Sequence, residues 1–253
     1  MYAAARVLER TLEELGLNAW PALSSVLYDG WVLRFSGGYT RRANSVNPLY
    51  ASRLPLEEKI SVCEAAYARR SQAAVFKLTF ATQPPQLDRM LAEMGYEEQA
   101  TTSVQTADLS NALVAYDPAV SLTEHLADAW LDAQGVLVGG PAKVLELERR
   151  MLQSIVPPTA FASLHQDGQP VAMGLAVAER GYVGLSSIVT AVSARNRGLG
   201  RRLVGSLLAW GQQQGAHTGY LAVMLDNAPA LRLYAGFGFR EAYRYWYRVK
   251  TPA

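Results

Sequence analysis

The chain has 253 residues, half of them hydrophobic and 18% charged, and its formal net charge is +2. This length and composition predict a globular protein with one large domain or two smaller ones, and they exclude a disordered chain. The nearly balanced charge argues against a general nucleic-acid-binding protein, because such proteins usually have a strongly basic domain or face. We therefore expect no nucleic-acid partner.

Residue types that form disulfides or bind metals are few. Cys63 is the one cysteine, so the sequence excludes an internal disulfide and a cluster of thiolate metal ligands. The three histidines lie far apart, and we expect no metal site. The N-terminus lacks the apolar core of a signal peptide, and no apolar run approaches the roughly 18 residues of a membrane span. We expect a cytoplasmic protein with no membrane partner.

The first half of the chain predicts a mixture of helices and strands. Apolar residues at helical spacing predict helices over residues 3–17, 56–70 and 85–94. Aromatic and β-branched residues on both sides of Asp29-Gly30 predict a β-hairpin over residues 25–36. Further strands are predicted between Gly37-Gly38 and Pro48, over residues 75–80 and over residues 98–106.

A second series of elements starts near Ser121. Helices are predicted over residues 122–133, 142–155, 198–214 and 228–235. Strands are predicted over residues 159–165, 169–179, 182–190, 220–225 and 240–249. Asp167-Gly168 marks a second hairpin turn, and Gly215 ends the third of these helices.

The two halves contain similar segments. RMLAEMGYEE, residues 89–98, matches RLYAGFGFRE, residues 232–241, in the spacing of its apolar residues and glycines. Both segments follow a strand and a helix that starts near a proline, and both lead into a closing strand. Chance similarity of two helix–strand units is the alternative, but the order of elements favours duplication. The turn-like residues 111–120, which include Pro118, predict the boundary.

Two glycines and four arginines lie where a predicted strand becomes a helix, in the sequence RNRGLGRR of residues 195–202. Glycine lets a phosphate approach the backbone, and the first N–H groups of a helix attract anions. Arginine adds charge and forked donors. The segment therefore predicts a pyrophosphate site, with a solvated helix start or a nucleic-acid patch as alternatives. It matches neither GxGxxG nor GxxxxGK[ST], which argues against an NAD site or a P-loop.

A second motif follows the next predicted strand. The chain from Asn227 to Phe239 has the pattern N-x-x-A-x-x-L-Y-x-x-x-G-F, and R-x-x-G-x-G begins at Arg195. Together the two motifs resemble those of the GNAT superfamily of acyl-CoA-dependent N-acyltransferases. The resemblance covers residues 115–250 well. The first half matches only the fold pattern, because its corresponding segment, NPLYASRLPLEEK, has two prolines and lacks the glycine motif.

The resemblance implies an α/β protein (α+β type) made of two GNAT-like halves. Each half would be a mixed, mostly antiparallel sheet flanked by helices. Residues 1–112 would form a degenerate GNAT-like N-terminal domain, and residues 113–253 a catalytic GNAT domain that binds acetyl-CoA.

The resemblance also implies roles for individual residues. In the family, the strand before the glycine motif separates from its neighbour and binds pantetheine, which corresponds here to Ile188, Val189 and Thr190. The cofactor pyrophosphate would lie on the motif that Arg195 begins, formed further by Asn196, Arg197, Gly198, Leu199, Gly200 and Arg201. Asn227 would contact the cofactor, and Tyr234 would protonate the departing thiolate.

The general base is missing from its usual place. Members of the family often have a glutamate on the strand before Asn227, whereas here that strand reads GYLAVML. Glu179, Ser186 or Ser187 acting through a water, or no residue at all, are the alternatives.

These observations predict an acetyl-CoA-dependent N-acetyltransferase that moves an acetyl group to a primary amine by direct attack in a ternary complex. The acceptor would be a small-molecule or peptide amine, and the protein a monomer or homodimer. A non-catalytic acyl-CoA-binding or regulatory protein is the alternative, because the base is missing. A nucleic-acid-binding module that uses the arginines of residues 195–202 is a third hypothesis.

Overall fold

The computed structural model describes residues 2–112, 114–139 and 141–250. Its helices are α1 (Tyr2–Ala19), α2 (Leu56–Ala68), α3 (Leu87–Glu93), α4 (Asp128–Val138), α5 (Ala142–Gln153), α6 (Leu199–Gln213) and α7 (Ala228–Ala235). Its strands are β1 (Ser24–Tyr28), β2 (Trp31–Phe35), β3 (Val46–Pro48), β4 (Val75–Thr79), β5 (Glu97–Asp108), β6 (Val120–Thr123), β7 (Thr159–Gln166), β8 (Gln169–Glu179), β9 (Tyr182–Thr190), β10 (Thr218–Met224) and β11 (Arg240–Val249). Short 3₁₀ turns lie at Arg41–Ala43 and Val192–Ala194.

The chain divides into two compact units. Unit 1 comprises Met1–Ser103 with Ala242–Ala253, and unit 2 comprises Val104–Glu241. The division falls within β5 and within β11. Compactness does not test where the cofactor binds, so the division into residues 1–112 and 113–253 stays a prediction.

Unit 1 orders its strands β1-β2-β3-β4-β11-β5. The predicted first hairpin is confirmed: β1 and β2 are antiparallel, and Asp29 and Gly30 turn the chain with φ angles of 41° and 82°. Glycine is required at the second position, because a Cβ atom on Gly30 would lie 2.3 Å from the carbonyl oxygen of Ala51. The core of this unit contains fully buried Trp31 and Phe76, whose rings meet edge to face.

The turn residue Asp29 also holds the start of α2. Its carboxylate accepts hydrogen bonds from the backbone N–H groups of Leu54 and Arg53, each 2.9 Å from Oδ2. It further accepts one from Nζ of the fully buried Lys59, at 3.0 Å. These bonds, that of Leu54 foremost, hold the pKa of Asp29 well below its usual range.

Unit 2 orders its strands β5-β10-β9-β8-β7-β6. Strands β6 to β9 pair antiparallel, and β9 pairs with β10 in parallel. The predicted turn at Asp167-Gly168 is confirmed, because both residues have positive φ angles and join β7 to β8. The predicted fold class is likewise confirmed: a mixed α/β structure with mostly antiparallel strand pairing and helices.

Helices cover both faces of the unit 2 sheet. Buried leucines of α6 lie on the face to which Gly174 points, since a Cβ atom there would be 3.2 Å from the side chain of Leu203. On the other face, Trp130 of α4 packs edge to face on Phe161 of β7, with ring centroids 5.1 Å apart. Phe161 is directly opposite Leu175 of β8, so these two side chains share that face.

Two predictions of secondary structure need correction. The centre of the segment between Gly37-Gly38 and Pro48 is a 3₁₀ turn at Arg41–Ala43, and only Val46–Pro48 forms a strand. The predicted helix over residues 122–133 is instead strand β6 followed by α4, which begins at Asp128. Val120 is buried and Ser121 exposed, and Leu122 pairs with Ala162 of β7. Alternating burial and pairing at the sheet edge thus determine the conformation, although the apolar spacing also fits a helix.

The described helices include none that is long and apolar enough to cross a membrane. The described residues also include no cluster of three or more histidine, cysteine or acidic side chains that could hold a metal ion. Cys63 is buried, and burial raises the pKa of its thiol to about 12, so the thiol stays protonated at neutral pH.

Candidate functional site

Strand β9 contains a β-bulge. Met173 of β8 pairs with Val189 of β9, and Leu175 pairs with Ser186. Two residues of β9 therefore stand opposite the single residue Gly174. Such a bulge bends a strand and disrupts the regular ladder of hydrogen bonds.

The bulged part of β9 separates from β10. The parallel pairing of the two strands runs to Leu185 opposite Leu221. Beyond that pair, β9 continues to Thr190 and β10 to Met224. We call the space between residues 186–190 and residues 222–224 the β9–β10 cleft. Backbone groups on its walls are available to a ligand, as they would be at a sheet edge.

Three predicted pantetheine-binding residues line this cleft along β9: Ile188, Val189 and Thr190. Ser187, just before them, has a φ angle of 53°, which is in the left-handed region. Non-glycine residues adopt such angles rarely, and they do so where surrounding structure enforces them. Ser187 is the residue at which the bulge departs from regular strand geometry.

The chain between β9 and α6 forms the loop that the sequence predicts as a pyrophosphate site. We call residues 195–200 the glycine loop. Asn196 and Gly198 have left-handed φ angles of 60° and 76°, and α6 begins at Leu199. No described side chain caps this helix start, and its first turn has no acidic residue. The N–H groups at the start of α6 therefore remain available to an anion.

Gly198 and Gly200 meet different surroundings. A Cβ atom on Gly198 would have no neighbour within 4 Å, so its glycine is explained by the left-handed φ angle. A Cβ atom on Gly200 would lie 3.3 Å from Oγ1 of Thr190 and 3.5 Å from Leu233. Glycine at position 200 thus keeps the space between the end of β9, the loop and α7 open.

The arginines of this region point to different partners. Arg195 donates a hydrogen bond from Nε to the carbonyl oxygen of Thr190 at 3.4 Å. Arg201 donates to the carbonyl oxygen of Gly236 at 3.3 Å and stacks on the ring of Phe237. Arg202 forms an ion pair with Asp117, and Arg197 is exposed. Arg195 and Arg197 therefore remain closest to the predicted role, whereas Arg201 also holds the loop after α7.

Asn227 caps helix α7. Its Oδ1 accepts a hydrogen bond from the backbone N–H of Ala230 at 3.2 Å. This is the usual action of an asparagine N-cap, and it leaves the amide Nδ2 as a donor for a ligand.

Tyr234 lies on α7 with its ring buried, 8% exposed, and edge to face with Phe239. The sequence predicts an ordinary tyrosine pKa of about 10. Burial raises the pKa of Tyr234 to about 12 instead. The hydroxyl is therefore fully protonated at neutral pH, which is the form that a proton donor requires.

The structure separates the predicted general-base candidates. Glu179 pairs with Tyr182 at the start of β9, five residues before Ser187, so it lies about 16 Å from the bulge at ~3.3 Å per residue. Ser186 and Ser187 both lie at the bulge, and the hydroxyl oxygen of Ser186 is buried without a hydrogen-bond partner among the described residues. The seryl candidates thus reach the cleft, and Glu179 does not.

Sequence reasoning missed two buried polar side chains of unit 2. Gln134 on α4 is 4% exposed and Glu148 on α5 is 3% exposed. Each occupies a buried helix face that it shares with large apolar residues. A glutamine in line with apolar residues at helical spacing is the signal that would have found the first of them.

The chain is similar to known proteins over almost its whole length. A family model described as "Probable histone acetyltransferase Rv0428c C-terminal" matches residues 8–248. The uncharacterized N-acetyltransferase YobR of Bacillus subtilis is 27% identical over 249 residues, which are 95% of this chain and 98% of that protein. The aminoglycoside N(6')-acetyltransferase type 1 of Serratia marcescens is 30% identical over 134 residues, 49% of this chain and 92% of that protein.

A solved structure has a similar fold. A tandem GNAT protein from the clavulanic acid biosynthesis pathway superposes with a TM-score of 0.64, at 15% identity, over 96% of this chain and 88% of that one. At this identity the likeness concerns the fold. With the family model matching residues 8–248, the chain belongs to this family of the GNAT superfamily and is an N-acetyltransferase with tandem GNAT-like halves.

Proposed function

We propose that the protein uses acetyl-CoA to acetylate a primary amine, by direct attack of the amine on the thioester in a ternary complex. The observation that carries this proposal is the continuity of two features: the β9–β10 cleft ends at Thr190, and the glycine loop with the uncapped start of α6 follows five residues later. An elongated ligand with amide groups at one end and a pyrophosphate at the other fits this sequence of sites.

The chain offers a distinct group to each part of acetyl-CoA. Backbone groups of Ile188, Val189 and Thr190 would bind the pantetheine amides in the cleft. The pyrophosphate would accept hydrogen bonds at the loop and at the start of α6, from Asn196, Arg197, Gly198, Leu199, Gly200 and Arg201, with Arg195 beside them. Asn227 would donate from its free amide nitrogen.

The reaction then needs few protein groups. The neutral amine attacks the thioester carbonyl, and a backbone N–H at the bulge stabilises the negative charge on the oxygen. The nitrogen of the tetrahedral intermediate loses a proton to solvent, and the intermediate expels the CoA thiolate. The Tyr234 hydroxyl donates its proton to the sulfur, and solvent then reprotonates Tyr234. No acyl-enzyme forms, which agrees with the buried, protonated state of Cys63.

The proposal assigns catalysis to residues 113–253 and treats residues 1–112 as a degenerate copy. The acceptor is a small-molecule or peptide amine, met in the cytoplasm where acetyl-CoA is available, and the protein acts as a monomer or homodimer. The name of the Serratia relative supports a small-molecule amine, and the description of the family model supports a protein amine.

Calorimetry with acetyl-CoA, followed by thiol release from acetyl-CoA with a panel of amines, tests the proposal. We expect saturable binding and thiol release that depends on the amine. Binding without thiol release from any member of the panel would favour the non-catalytic acyl-CoA-binding protein instead. Absence of binding would remove both.

A further inference from the structure

Oε1 of Gln134 and Oγ of Ser186 are among the buried polar atoms of unit 2 that have no hydrogen-bond partner in the part of the chain that the structure describes. Gln134 is 4% exposed, so its amide has lost the water that would otherwise hydrate it. Buried polar atoms in native proteins are almost always hydrogen-bonded, because an unsatisfied one retains the full cost of desolvation. Two such atoms in one region indicate a missing donor.

Both atoms lie on the side of the unit 2 sheet that α4 covers. Ser186 is directly opposite Leu175, so its side chain shares the face of Leu175 and Phe161, against which Trp130 of α4 packs. Gln134 follows Trp130 by one helical turn and lies on the same buried side of α4. Helix α4 also contacts β8 and β9. The two atoms therefore face the layer between α4 and the sheet.

We propose that the amino group of the acceptor binds beneath α4, with Gln134 Oε1 and Ser186 Oγ accepting its two N–H bonds. A neutral primary amine has two N–H donors for these two acceptors and keeps its lone pair for attack on the thioester. Ser186 is the first residue of β9 beyond the last pair with β10, so this site opens into the β9–β10 cleft. The inference rests on the proposed function, because the cleft is where the thioester would lie.

The test uses the full chain and the variant Gln134→Met, which keeps the length and removes both polar groups. If Gln134 binds the amine, the Gln134→Met variant without ligand no longer buries an amide that lacks a hydrogen bond. Its Tm should therefore be higher than that of the wild type by about 2 °C or more. Its KM for spermidine or kanamycin in the thiol-release assay rises about tenfold or more, with an unchanged Kd for acetyl-CoA. Ser186→Ala should raise the same KM. Gln153→Met, at an exposed position of α5, is the matched control and should change neither quantity.

A lower Tm for Gln134→Met with an unchanged amine KM would show a structural glutamine and overturn the proposal. A higher Tm with an unchanged amine KM would show that only water fills the site, with the same consequence. If the wild type binds acetyl-CoA but releases no thiol with any amine, the proposed activity fails by itself. The site is then judged by thermal shifts: butylammonium chloride should stabilise the wild type more than Gln134→Met, and equal shifts would refute it.

Discussion

At the scale of residues, Gly200 is the position where a single atom decides access to the proposed phosphate site. It lies in the first turn of α6, and a side chain there would press on Thr190 and Leu233. We expect Gly200→Glu to weaken acetyl-CoA binding by roughly 100-fold, because bulk and negative charge would both oppose the phosphate.

Isothermal titration of Gly200→Glu and of Gly200→Gln separates these two effects. The glutamine variant has nearly the same shape without the charge, so its affinity should fall less. Circular dichroism would confirm that both variants are folded. Wild-type affinity in a folded Gly200→Glu protein would mean that the cofactor phosphates bind elsewhere.

Tyr234 carries the second prediction at this scale. Tyr234→Phe keeps the buried ring against Phe239 and removes only the proton. We expect kcat to fall by roughly 100-fold, in the range of general acid–base groups, with little change in acetyl-CoA affinity. Because burial raises the pKa to about 12, the wild type should show no loss of kcat from tyrosine ionisation below about pH 10.

The sign of the stability effect follows from the same shift. A raised pKa in the folded state means that ionisation favours the unfolded chain once the pH exceeds the unfolded value of about 10. The stability contributed by burying neutral Tyr234 is therefore present at neutral pH and declines between about pH 10 and 12. Unchanged kcat in the phenylalanine variant, with acetyl-CoA saturating, would remove Tyr234 from the mechanism.

At the scale of elements, the bulge in β9 is what opens the cleft, and Ser187 is its strained residue. A β-branched side chain tolerates a positive φ angle poorly, so Ser187→Val should destabilise the protein by about 1–2 kcal/mol and weaken acetyl-CoA binding. Ser187→Gly, which suits that angle, should preserve both. Urea unfolding and titration measure the two effects.

The glycine variant also decides a mechanistic question. Ser187 is one of the remaining candidates for activating the amine through a water. If Ser187→Gly keeps the wild-type kcat, the serine hydroxyl has no part in proton removal. A valine variant as stable as the wild type would show that the backbone at position 187 is not strained.

Much of this fold could be predicted from local patterns, because the responsible residues act locally. Asp29-Gly30 and Asp167-Gly168 fix two hairpins by their left-handed φ angles, and Gly215 ends α6 in the same way. The edge strand β6 was missed because its four residues are too short for a clear period, and pairing with β7 decides their conformation.

The sequence could predict the parts of the candidate site that belong to motifs. It could not predict the parts that depend on how strands and helices pack. The glycine loop could be named from its residue types, and Asn227 and Tyr234 could be named from the resemblance to the GNAT motifs; the roles of these residues stay predictions. The bulge depends on the register between β8 and β9, which no single sequence states. Gln134 resembled an ordinary polar helix residue, and only the packing of α4 on the sheet shows that it is buried.

At the scale of the whole molecule, the two halves differ in the charge of the residues at the start of a comparable helix. Helix α6 begins after Gly198 with no acidic residue in its first turn. Helix α2 begins after Pro55 and has Glu57 and Glu58 in its first turn, which oppose an anion there. We therefore expect one acetyl-CoA per chain.

Calorimetric titration and native mass spectrometry measure this stoichiometry directly. Gly200→Glu serves as the control, since it should weaken the single binding event by roughly 100-fold if unit 2 alone binds the cofactor. Saturation at two cofactors per chain, or a residual full-affinity event in that variant, would show that unit 1 also binds acetyl-CoA.

The hydrogen bonds of Asp29 predict that the two units also differ in how ligand concentration affects their thermal stability. Its carboxylate already occupies the backbone N–H groups before α2, so unit 1 holds an anion that is covalently part of the chain and can never dissociate. Under the proposed function, the start of α6 takes its anion from solution, and by mass action the gain in stability grows with the logarithm of ligand concentration. Added CoA should therefore delay the melting of unit 2 in a concentration-dependent way, while the intrinsic stability of unit 1 stays independent of the metabolic supply of the cofactor.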